Sequence, residues 1–365
     1  MTPPGPASAH SVDPIGTKRT ARTRQRIAAI GVVAVIAASF ASAADARLVY
    51  ERGFRTSHPS TWVARDDGRA AHRLASGSSP KISPDGRLVA YLTTGPLGTQ
   101  RLMLVAATGG GSRLLLRDFL LDIGWSPDGK RIAAVEQTPT TRTNPGARTI
   151  VTIDVATSRV HPIAPASVPL ATSFSPTGSQ LAYTRVMSTN PSRDDIYRQP
   201  ATGGRAVRLT HDGHSAWPVW GRNWIAFVRQ SAPSPRDHIP KQNIYLVKPT
   251  GAGLHRLTHV TIGERMFGFT PTAWSANGRR LIAEFNGIGT DYVVTVDPRT
   301  GAVPRVGEPS GGTAGHGVTG AALSRDGTTI LGVQGHTTPS VVTLPYDGGR
   351  PRVLARDAIG ASWNR

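Results

Sequence analysis

The sequence predicts an all-β protein, built as a single β-propeller whose blades are small four-stranded antiparallel sheets. Three observations support this prediction: a turn motif that recurs about every 40 to 55 residues, short apolar segments beside each turn, and two chain ends that complement each other. A repeat of this length made of strands and turns is typical of propellers. The repeat therefore indicates the fold class before any local motif is interpreted.

The turn motif is Ser83-Pro84-Asp85-Gly86, and it returns as Ser126-Pro127-Asp128-Gly129. Weaker copies start at Ser175, Ser275 and Ser324. A type I β-turn explains the residue types, because Ser accepts a backbone hydrogen bond at the first position, Pro fixes φ at the second, Asp is tolerated at the third and Gly suits the fourth. We therefore expect these residues to form structural turns rather than a binding site.

Each turn joins two predicted strands. Residues 121–125 precede the second turn and residues 131–135 follow it, and both segments are short and apolar, which is typical of strands packed between sheets. Residues 244–247 and 255–258 show the third and fourth strands of a unit. One blade is therefore predicted as four antiparallel strands.

This template gives six complete units and one split unit. The complete units lie near residues 79–117, 119–164, 168–210, 215–258, 266–306 and 316–354. Residues 47–50 and 61–68 supply strands of a further blade that lacks its first strand, and residues 359–364 supply that strand. The sequence thus predicts seven blades, with the ring closed by the C-terminal strand pairing with the N-terminal strands, so that strand edges are covered. Six blades are the alternative if the N-terminal strands are irregular.

Longer segments interrupt the predicted strands. Residues 138–147, 187–195 and 231–242 are expected to be insertions within the blades rather than linkers between domains. The propeller is therefore predicted to occupy residues 47–365 as one domain.

Residues 1–46 have the composition of an export signal. Five Lys and Arg residues precede an apolar run at residues 27–40, and small residues follow through Ala46. This order predicts a secretory signal peptide cleaved after Ala43 or Ala46. An uncleaved single membrane anchor through residues 27–44 is the alternative. Either places the domain outside the cytoplasm, in the periplasm, the cell envelope or the extracellular space.

Composition and net charge limit the classes of partner that the protein is expected to bind. The chain has 365 residues, no cysteine and a formal net charge of +19, of which +16 remains after the leader's net +3 is removed. Disulfides and thiol catalysis are excluded. An arginine-rich exported domain is expected to bind an envelope protein or an anionic envelope polymer. We expect a monomer and no nucleic-acid binding, because export removes that partner and no compact basic stripe is present.

The repeat resembles a known family. Trp125-Ser126-Pro127-Asp128-Gly129-Lys130-Arg131-Ile132-Ala133 is similar to the repeat of TolB-type propellers, the WD40-like PD40 repeat. Arg208-Leu209-Thr210 and Arg256-Leu257-Thr258 resemble the endings of its fourth strands. The resemblance covers nearly all of residues 47–365 and implies a propeller fold. Proteins of that family carry a separate domain before a six-bladed propeller, so the residues with which they engage partners are not carried over.

Similar repeats precede the catalytic domain of prolyl-oligopeptidase-type peptidases. Those enzymes need a Ser nucleophile on a G-x-S-x-G elbow, and this sequence contains no such motif. A seven-bladed lyase of acidic polysaccharides with a histidine-ligated manganese is the sharpest enzymatic resemblance. Its ligand set cannot be matched residue by residue in this sequence.

The candidate binding face is the one opposite the Ser-Pro-Asp-Gly turns, because histidines collect in the connections predicted there. Asp194 and Asp195 fall in a neighbouring connection. The binding-face candidates are His211, Asp212, His214, Trp217, His259, Glu264, Arg265, His316 and His336. Imidazoles and a carboxylate are ligands that a divalent metal accepts, although none of these residues has a diagnostic ligand spacing. Trp217 is a stacking candidate, whereas Trp125, Trp274 and Trp363 are expected to pack between blades.

The sequence favours an exported, non-catalytic binding or scaffold module of the cell envelope, with no cofactor. The alternative is a metal-dependent lyase or hydrolase that acts on an acidic glycan or lactone. A rigid ring that presents variable loops is a common binding architecture.

Overall fold

The computed structural model describes residues 47–95, 100–117, 119–137, 148–166, 172–189, 192–231, 240–259, 266–287, 291–304, 317–335 and 337–364. Within these ranges every regular element is a β-strand, and none is a helix. The prediction of an all-β protein is confirmed. The predicted leader at residues 1–46 and two of the predicted insertions, residues 138–147 and most of 231–242, lie outside the described residues.

The strands pair antiparallel with their neighbours within each unit of the repeat. They are β1 (Arg47–Arg52), β2 (Ser60–Arg65), β3 (His72–Ser76), β4 (Ser78–Ile82), β5 (Leu88–Thr94), β6 (Gln100–Ala106), β7 (Arg113–Arg117), β8 (Phe119–Trp125), β9 (Arg131–Gln137), β10 (Arg148–Asp154), β11 (Val160–Ala166), β12 (Thr172–Phe174), β13 (Gln180–Thr189), β14 (Ser192–Pro200), β15 (Val207–Arg208), β16 (Ser215–Trp220), β17 (Ile225–Gln230), β18 (Gln242–Val247), β19 (His255–Arg256), β20 (Met266–Trp274), β21 (Leu281–Gly287), β22 (Tyr292–Val296), β23 (Val318–Leu323), β24 (Thr329–Gln334), β25 (Ser340–Pro345), β26 (Arg352–Arg356) and β27 (Ile359–Trp363).

These strands form repeated meander units. Unit I is β27 with β1 to β3, unit II is β4 to β7, unit III is β8 to β11, unit IV is β12 to β15 and unit VII is β23 to β26, and each is a separate four-stranded sheet. A seven-stranded sheet contains unit V, β16 to β19, and unit VI, β20 to β22. A single parallel pair, Gln242 opposite Gly268, joins units V and VI.

The two ends of the described chain share unit I. Strand β27 pairs antiparallel with β1, and Leu48 faces Trp363 while Val49 faces Ser362. Beyond the last strand, the backbone N–H of Arg47 donates to Asn364 Oδ1 at 2.7 Å. The C-terminal segment therefore supplies the first strand of a sheet whose other three strands come from the N-terminal segment.

Hydrophobic contacts connect each unit to the next. Buried side chains of units II and III form one cluster, and corresponding clusters join III to IV, IV to V, V to VI and VI to VII. Unit I packs on both sides, with Leu48 in a cluster with Leu331 of unit VII and Val49 in a cluster with Val89 of unit II. Each fully buried Leu, Ile or Val contributes about 1.5–3 kcal/mol, so these contacts dominate the stability of the fold.

Sheets covered on both faces need strands that are apolar on both sides. In β22 all five residues from Tyr292 to Val296 are buried, and in β17 the first four residues are buried. These strands therefore appear in the sequence as continuous apolar runs rather than as an alternating pattern.

The recurring turn has the same hydrogen bonds in its two full copies. In the first copy Ser83 Oγ donates to Asp85 Oδ1 at 2.5 Å, and the same carboxylate oxygen accepts the N–H of Arg87 at 3.1 Å. In the second copy Ser126 Oγ donates to Asp128 Oδ1 at 2.6 Å. The fourth residue, Gly86, has φ +71°, which only glycine adopts without strain. The motif is thus a self-contained polar turn that joins the first and second strands of its unit.

The structure differs from the sequence prediction in two segments. Residues 187–195 are not an insertion, because β13 and β14 continue as a paired hairpin until Thr189 faces Ser192. In unit VI, no fourth strand occurs among the described residues. Instead, residues 302–304 run beside β22 through two bonds, Asp297 N–H to the Ala302 carbonyl at 2.9 Å and Thr295 N–H to the Pro304 carbonyl at 3.3 Å. Two isolated bonds do not make a regular ladder.

Candidate functional site

The strand connections divide the molecule into two edges. Connections between first and second strands, and between third and fourth strands, lie at one edge of each unit, which we call the turn edge. Connections between second and third strands, and from the fourth strand to the next unit, lie at the opposite edge, which we call the loop edge. This follows from antiparallel order. The segment from His211 to His214 joins units IV and V and therefore belongs to the loop edge.

Asp212 holds this loop in place. Its carboxylate accepts the backbone N–H of His214 at 2.9 Å and the Ser215 hydroxyl at 2.9 and 3.0 Å. It also pairs with Arg229 of β17, with an Nη2–Oδ2 distance of 2.5 Å. Because short Asp side chains readily bond the backbone two residues on, Asp212 acts here as a local cap. Its carboxylate is committed to the loop and to Arg229.

A second ion pair, between a buried acid and a partly exposed arginine, supports the same loop. Asp195 of β14 is fully buried and accepts bonds from Arg208 Nη2 at 2.6 Å and from the Thr210 hydroxyl at 2.8 Å. The hydrogen bond to Asp195 raises the pKa of Arg208. The backbone N–H of Gly213 also points to Asp195, at 3.4 Å. The sequence predicts Asp195 in a strand connection near the candidate binding face, whereas in the structure it is a buried residue of β14 that anchors the His211–His214 loop.

The two imidazoles remain available at the surface. His211 and His214 are both exposed, and no described side chain is hydrogen-bonded to either ring. The carbonyl of His214 accepts the N–H of Gln230, which fixes the backbone of the loop against β17. The loop edge between units IV and V therefore presents two free imidazoles on a rigid backbone.

Trp217 lies nearby in a strained conformation. It is half-buried, has φ +53°, and sits where the pairing of β16 with β17 shifts register between Ala216 and Val219. A bulky residue in this left-handed region costs about 1–2 kcal/mol. The backbone N–H of Trp217 donates to Thr184 Oγ1 of unit IV at 3.0 Å. This bond holds the bulge, and the bulge sets the direction of the indole.

The same bulge recurs in other first strands, four residues before the turn in those strands that a turn follows. Positive φ occurs at Ser79, Trp217, Gly320 and Gly360, at +51°, +53°, +61° and +59°. The bulge N–H of Ser79 donates to Glu51 of unit I at 2.9 Å, and that of Gly320 donates to Glu284 of unit VI at 2.5 Å. Where unit VI has Pro271 at this position, no N–H exists. The second strand of one unit thus latches the first strand of the next.

Glu51 is the buried member of these latches. Burial raises its pKa, and the N–H bond from Ser79 only partly offsets this effect. The Ser79 N–H replaces part of the hydration that the carboxylate loses on burial. Glu51 is therefore a structural acid between units I and II.

The other predicted site residues are not brought together in the described part of the chain. His259 is exposed at the end of the β19 segment. Glu264, Arg265, His316 and His336 lie outside the described residues. Among the residues that are described, no group of three or more His, Asp or Glu side chains could hold a metal ion. The metal site stays a prediction of the alternative function.

The tryptophans at the ends of the first strands pack between units. Trp125 Nε1 donates to the Lys81 carbonyl at 2.9 Å, and Trp274 Nε1 donates to the Val219 carbonyl at 3.0 Å. Each indole thus reaches the first strand of the preceding unit. Trp363 is buried beside Leu48.

A cleft that sequence reasoning missed opens at the turn edge between units VI and VII. Its volume is about 880 Å³. It is lined by Gly278, Arg279, Arg280, Thr295, Asp297, Pro298, Arg299, Ala302, Pro304, Tyr346 and Asp347. The one sequence signal was the degenerate turn of unit VI, where Asn277 replaces the usual Asp.

Arg280 and Tyr346 form the floor of this cleft. The Arg280 guanidinium stacks over the Tyr346 ring at 4.6 Å and donates to the Gly327 carbonyl at 2.8 Å. The Tyr346 hydroxyl donates to the carbonyls of Leu281 and Val296, at 3.2 and 3.3 Å. Burial raises the pKa of Tyr346. The floor is therefore pre-organised by bonds to both units.

The sheet geometry is shared with solved structures. TolB from Acinetobacter baumannii is 17% identical, with a TM-score of 0.52 over 84% of this chain and 79% of that chain. The β-propeller domain of the Trilobed protease from Pyrococcus furiosus, described as having an open velcro topology, is 12% identical, with a TM-score of 0.62 over 87% of this chain and 97% of that one. The chain has a TolB-like β-propeller fold.

The same propeller fold occurs in an enzyme. The oligogalacturonate lyase solved in complex with manganese is 13% identical to this propeller, with a TM-score of 0.56 over 84% of this chain and 83% of that chain. At this level of identity the likeness concerns the fold alone. No protein-family model and no curated protein sequence matches the chain. In the described part of the propeller, no helix is long and apolar enough to cross a membrane.

Proposed function

We propose that units I to VII form a closed seven-bladed propeller that acts as an exported, non-catalytic binding or scaffold module of the cell envelope. The closed ring is supported by the pairing of β27 with β1 and by the hydrophobic clusters that place unit I against both unit II and unit VII. The turn contacts add support, because Gly129 lies against Pro84 and Gly178 against Asp128 of the preceding units.

The loop edge between units IV and V is the proposed binding surface. The observation that supports it is that two carboxylates of this region, Asp195 and Asp212, are already bonded to arginines and to the loop backbone. The groups proposed to meet a partner are the two exposed imidazoles, His211 and His214, and the half-buried indole of Trp217, three residues after His214. Rigid aromatic and imidazole groups on a fixed backbone bind with a low entropic cost.

The proposed partner is an envelope protein or an anionic envelope polymer. The domain without its leader has a net charge of +16, which favours association with anionic surfaces at low ionic strength. The propeller is proposed to act as a monomer, delivered outside the cytoplasm by residues 1–46 as a cleaved signal or as a single anchor.

Co-purification from envelope extracts tests this proposal. Tagged full-length protein and the variant His211→Ala with His214→Ala are compared, and His72→Ala serves as the matched control because His72 is an exposed histidine at the turn edge. We expect a partner that binds wild type and the control and is lost from the double variant. Equal recovery with all three proteins would contradict the proposed surface.

Elemental analysis of the same preparations tests the alternative function. A stoichiometric divalent metal together with turnover of an acidic glycan or lactone would replace the binding proposal by a metal-dependent lyase or hydrolase. Partner binding by a protein that contains no stoichiometric metal and shows no turnover would support the proposed binding module.

A further inference from the structure

We propose that the turn-edge cleft between units VI and VII is a second binding site, and that its ligand is an acidic polypeptide segment. This site is distinct from the loop-edge surface, because the two lie at opposite ends of the strands. The cleft volume of about 880 Å³ falls within the range of sites that enclose small ligands or several peptide residues.

The cleft is built from three separate connections that the sheets hold in place. The first turn of unit VI supplies Arg279 and Arg280, its third-strand connection supplies Asp297 and Arg299, and the corresponding connection of unit VII supplies Asp347. The floor formed by Arg280 and Tyr346 bonds to both units. The shape therefore exists before any ligand arrives, which lowers the cost of binding.

The first turn of unit VI has lost its carboxylate. In units II, III and VII the third turn position is Asp85, Asp128 or Asp326, and each carboxylate bonds the serine hydroxyl of its own turn. In unit VI the neutral Asn277 makes the same bond to Ser275, at 2.8 Å. The turn geometry is preserved while the negative charge beside Arg279 is removed.

Other exposed cations flank this turn. Arg222 of unit V lies against Gly278, and the carbonyl of Arg325 in unit VII accepts the N–H of Ala276 at 3.1 Å. The side chains of Arg222, Arg279 and Arg325 are exposed and have no carboxylate partner among the described residues. Guanidinium groups pair with carboxylates through two parallel bonds, so these side chains suit acidic ligands.

Arg299 is the cation on the opposite wall. Its side chain is 89% exposed, and its distance of 3.9 Å from Asp297 is at the limit of an ion pair. Exposed pairs of this kind contribute little, because water screens both charges. A ligand carboxylate can therefore displace this contact at a small cost.

The acids of the cleft favour a polypeptide over a uniform polyanion. Asp347 has a side-chain exposure of 80% and lies 3.6 Å from Arg280. Asp297 accepts the N–H groups of Arg299 and Thr300, which lower its pKa, so it is ionised at neutral pH. Two fixed negative charges repel a chain that is anionic at every position. A peptide can pair its carboxylates with Arg279 and Arg299 and donate its backbone N–H groups to Asp347. It therefore complements both the positive and the negative groups of the cleft.

Fluorescence anisotropy on the full chain tests this inference. The probe is a labelled decapeptide of alternating glutamate and serine, and unlabelled polygalacturonate is the competing polyanion. The cleft variant is Arg279→Glu with Arg299→Glu. The matched control is Arg117→Glu with Arg205→Glu, two exposed arginines of other units that give the same change in net charge.

We expect the wild type to bind the peptide, the cleft variant to lose at least about tenfold in affinity, and the control to change by less than about threefold. His211→Ala with His214→Ala should leave peptide affinity unchanged, which separates this site from the proposed loop-edge function. Thermal unfolding by circular dichroism establishes that each variant is folded.

Three results would overturn the inference. The first is absence of peptide binding to the wild type. The second is an equal loss in the cleft and control variants, which would mean that only net charge matters. The third is tighter binding of polygalacturonate than of the peptide, through the same arginines. That result would identify the ligand of the cleft as an anionic glycan.

Discussion

The loop edge and the turn edge of this propeller differ in the role of their acidic residues. At the loop edge, Asp195 and Asp212 are bonded to arginines and backbone and serve to fix a loop that presents imidazoles. At the turn edge, the cleft carries exposed arginines, and Asn277 occupies the turn position where other units have an acid. The comparison suggests that a repeat protein acquires new exposed functional groups where one unit departs from the repeat. At the loop edge, buried acids beside such a departure keep the backbone conformation in place.

Removal of Asp195 should give the largest effect. Asp195→Ala removes the common acceptor of Arg208, Thr210 and the Gly213 N–H, and we expect a loss of about 2–4 kcal/mol in the free energy of unfolding. Asp347→Ala, which breaks the exposed pair with Arg280, should change it by less than about 1 kcal/mol. Urea unfolding measures both. Similar losses in the two variants would remove the contrast between the edges.

Asp212 should matter less than Asp195, because it is partly exposed. We expect Asp212→Ala to cost about 1–3 kcal/mol through the lost bonds to His214, Ser215 and Arg229. His211→Ala is the control and should remain within about 0.5 kcal/mol of wild type. If Asp212→Ala is as stable as the control, the loop does not depend on this carboxylate.

The pH dependence should have opposite sign at the two edges. Burial raises the pKa of Glu51, so its folded state holds the proton more tightly, and the stability of wild type relative to Glu51→Gln should fall as pH rises above 4.5, the ordinary pKa of a Glu carboxyl. Backbone bonds lower the pKa of Asp297, so its contribution is present above 3.8 and is lost as pH falls through its folded pKa.

Urea unfolding of Glu51→Gln and Asp297→Asn at several pH values between about 2.5 and 7 checks these slopes, and the range spans the ordinary pKa values of both carboxylates. Slopes of the same sign in both comparisons would contradict the assignment of one acid to burial and the other to backbone hydrogen bonds.

Restoring the repeat at Asn277 should give the smallest effect. Asn277→Asp is expected to leave stability within about 0.5 kcal/mol, since the turn bond to Ser275 is kept. The new charge beside Arg279 should weaken binding of the acidic peptide by about two- to fivefold. Anisotropy titration measures the change, and unchanged or tighter binding would argue against Arg279 as a ligand contact.

The sequence was sufficient for the fold because its signals are local. A turn with Ser, Asp and Gly at fixed positions and a two-sided apolar strand such as β22 can be recognised without knowing the neighbours. The all-β class and the TolB-like propeller were confirmed in this way. The length of the β13–β14 hairpin was missed, because Ser and Thr near residues 187–192 indicate a loop while backbone pairing continues to Thr189 and Ser192.

The candidate sites depend on contacts that no local pattern contains. Nothing near Asp195 in the sequence shows that Arg208 and Thr210 return to bury it, since that pairing arises only when β14, β15 and the following loop come together. The cleft likewise combines residues of units VI and VII that are 42 to 69 positions apart, from Pro304 to Tyr346 and from Gly278 to Asp347. Asn277 departs from the turn motif, but Thr177 of unit IV departs from it as well, so the motif alone did not single out this unit.

The measurement that tests the account most directly is a cross-comparison of the two double variants. His211→Ala with His214→Ala, and Arg279→Glu with Arg299→Glu, are each assayed for the co-purifying envelope partner and for the acidic peptide. We predict that the histidine variant loses the partner and keeps the peptide, and that the arginine variant loses the peptide and keeps the partner. Loss of both ligands in either folded variant, or of neither in both, would contradict two separate binding edges on one propeller.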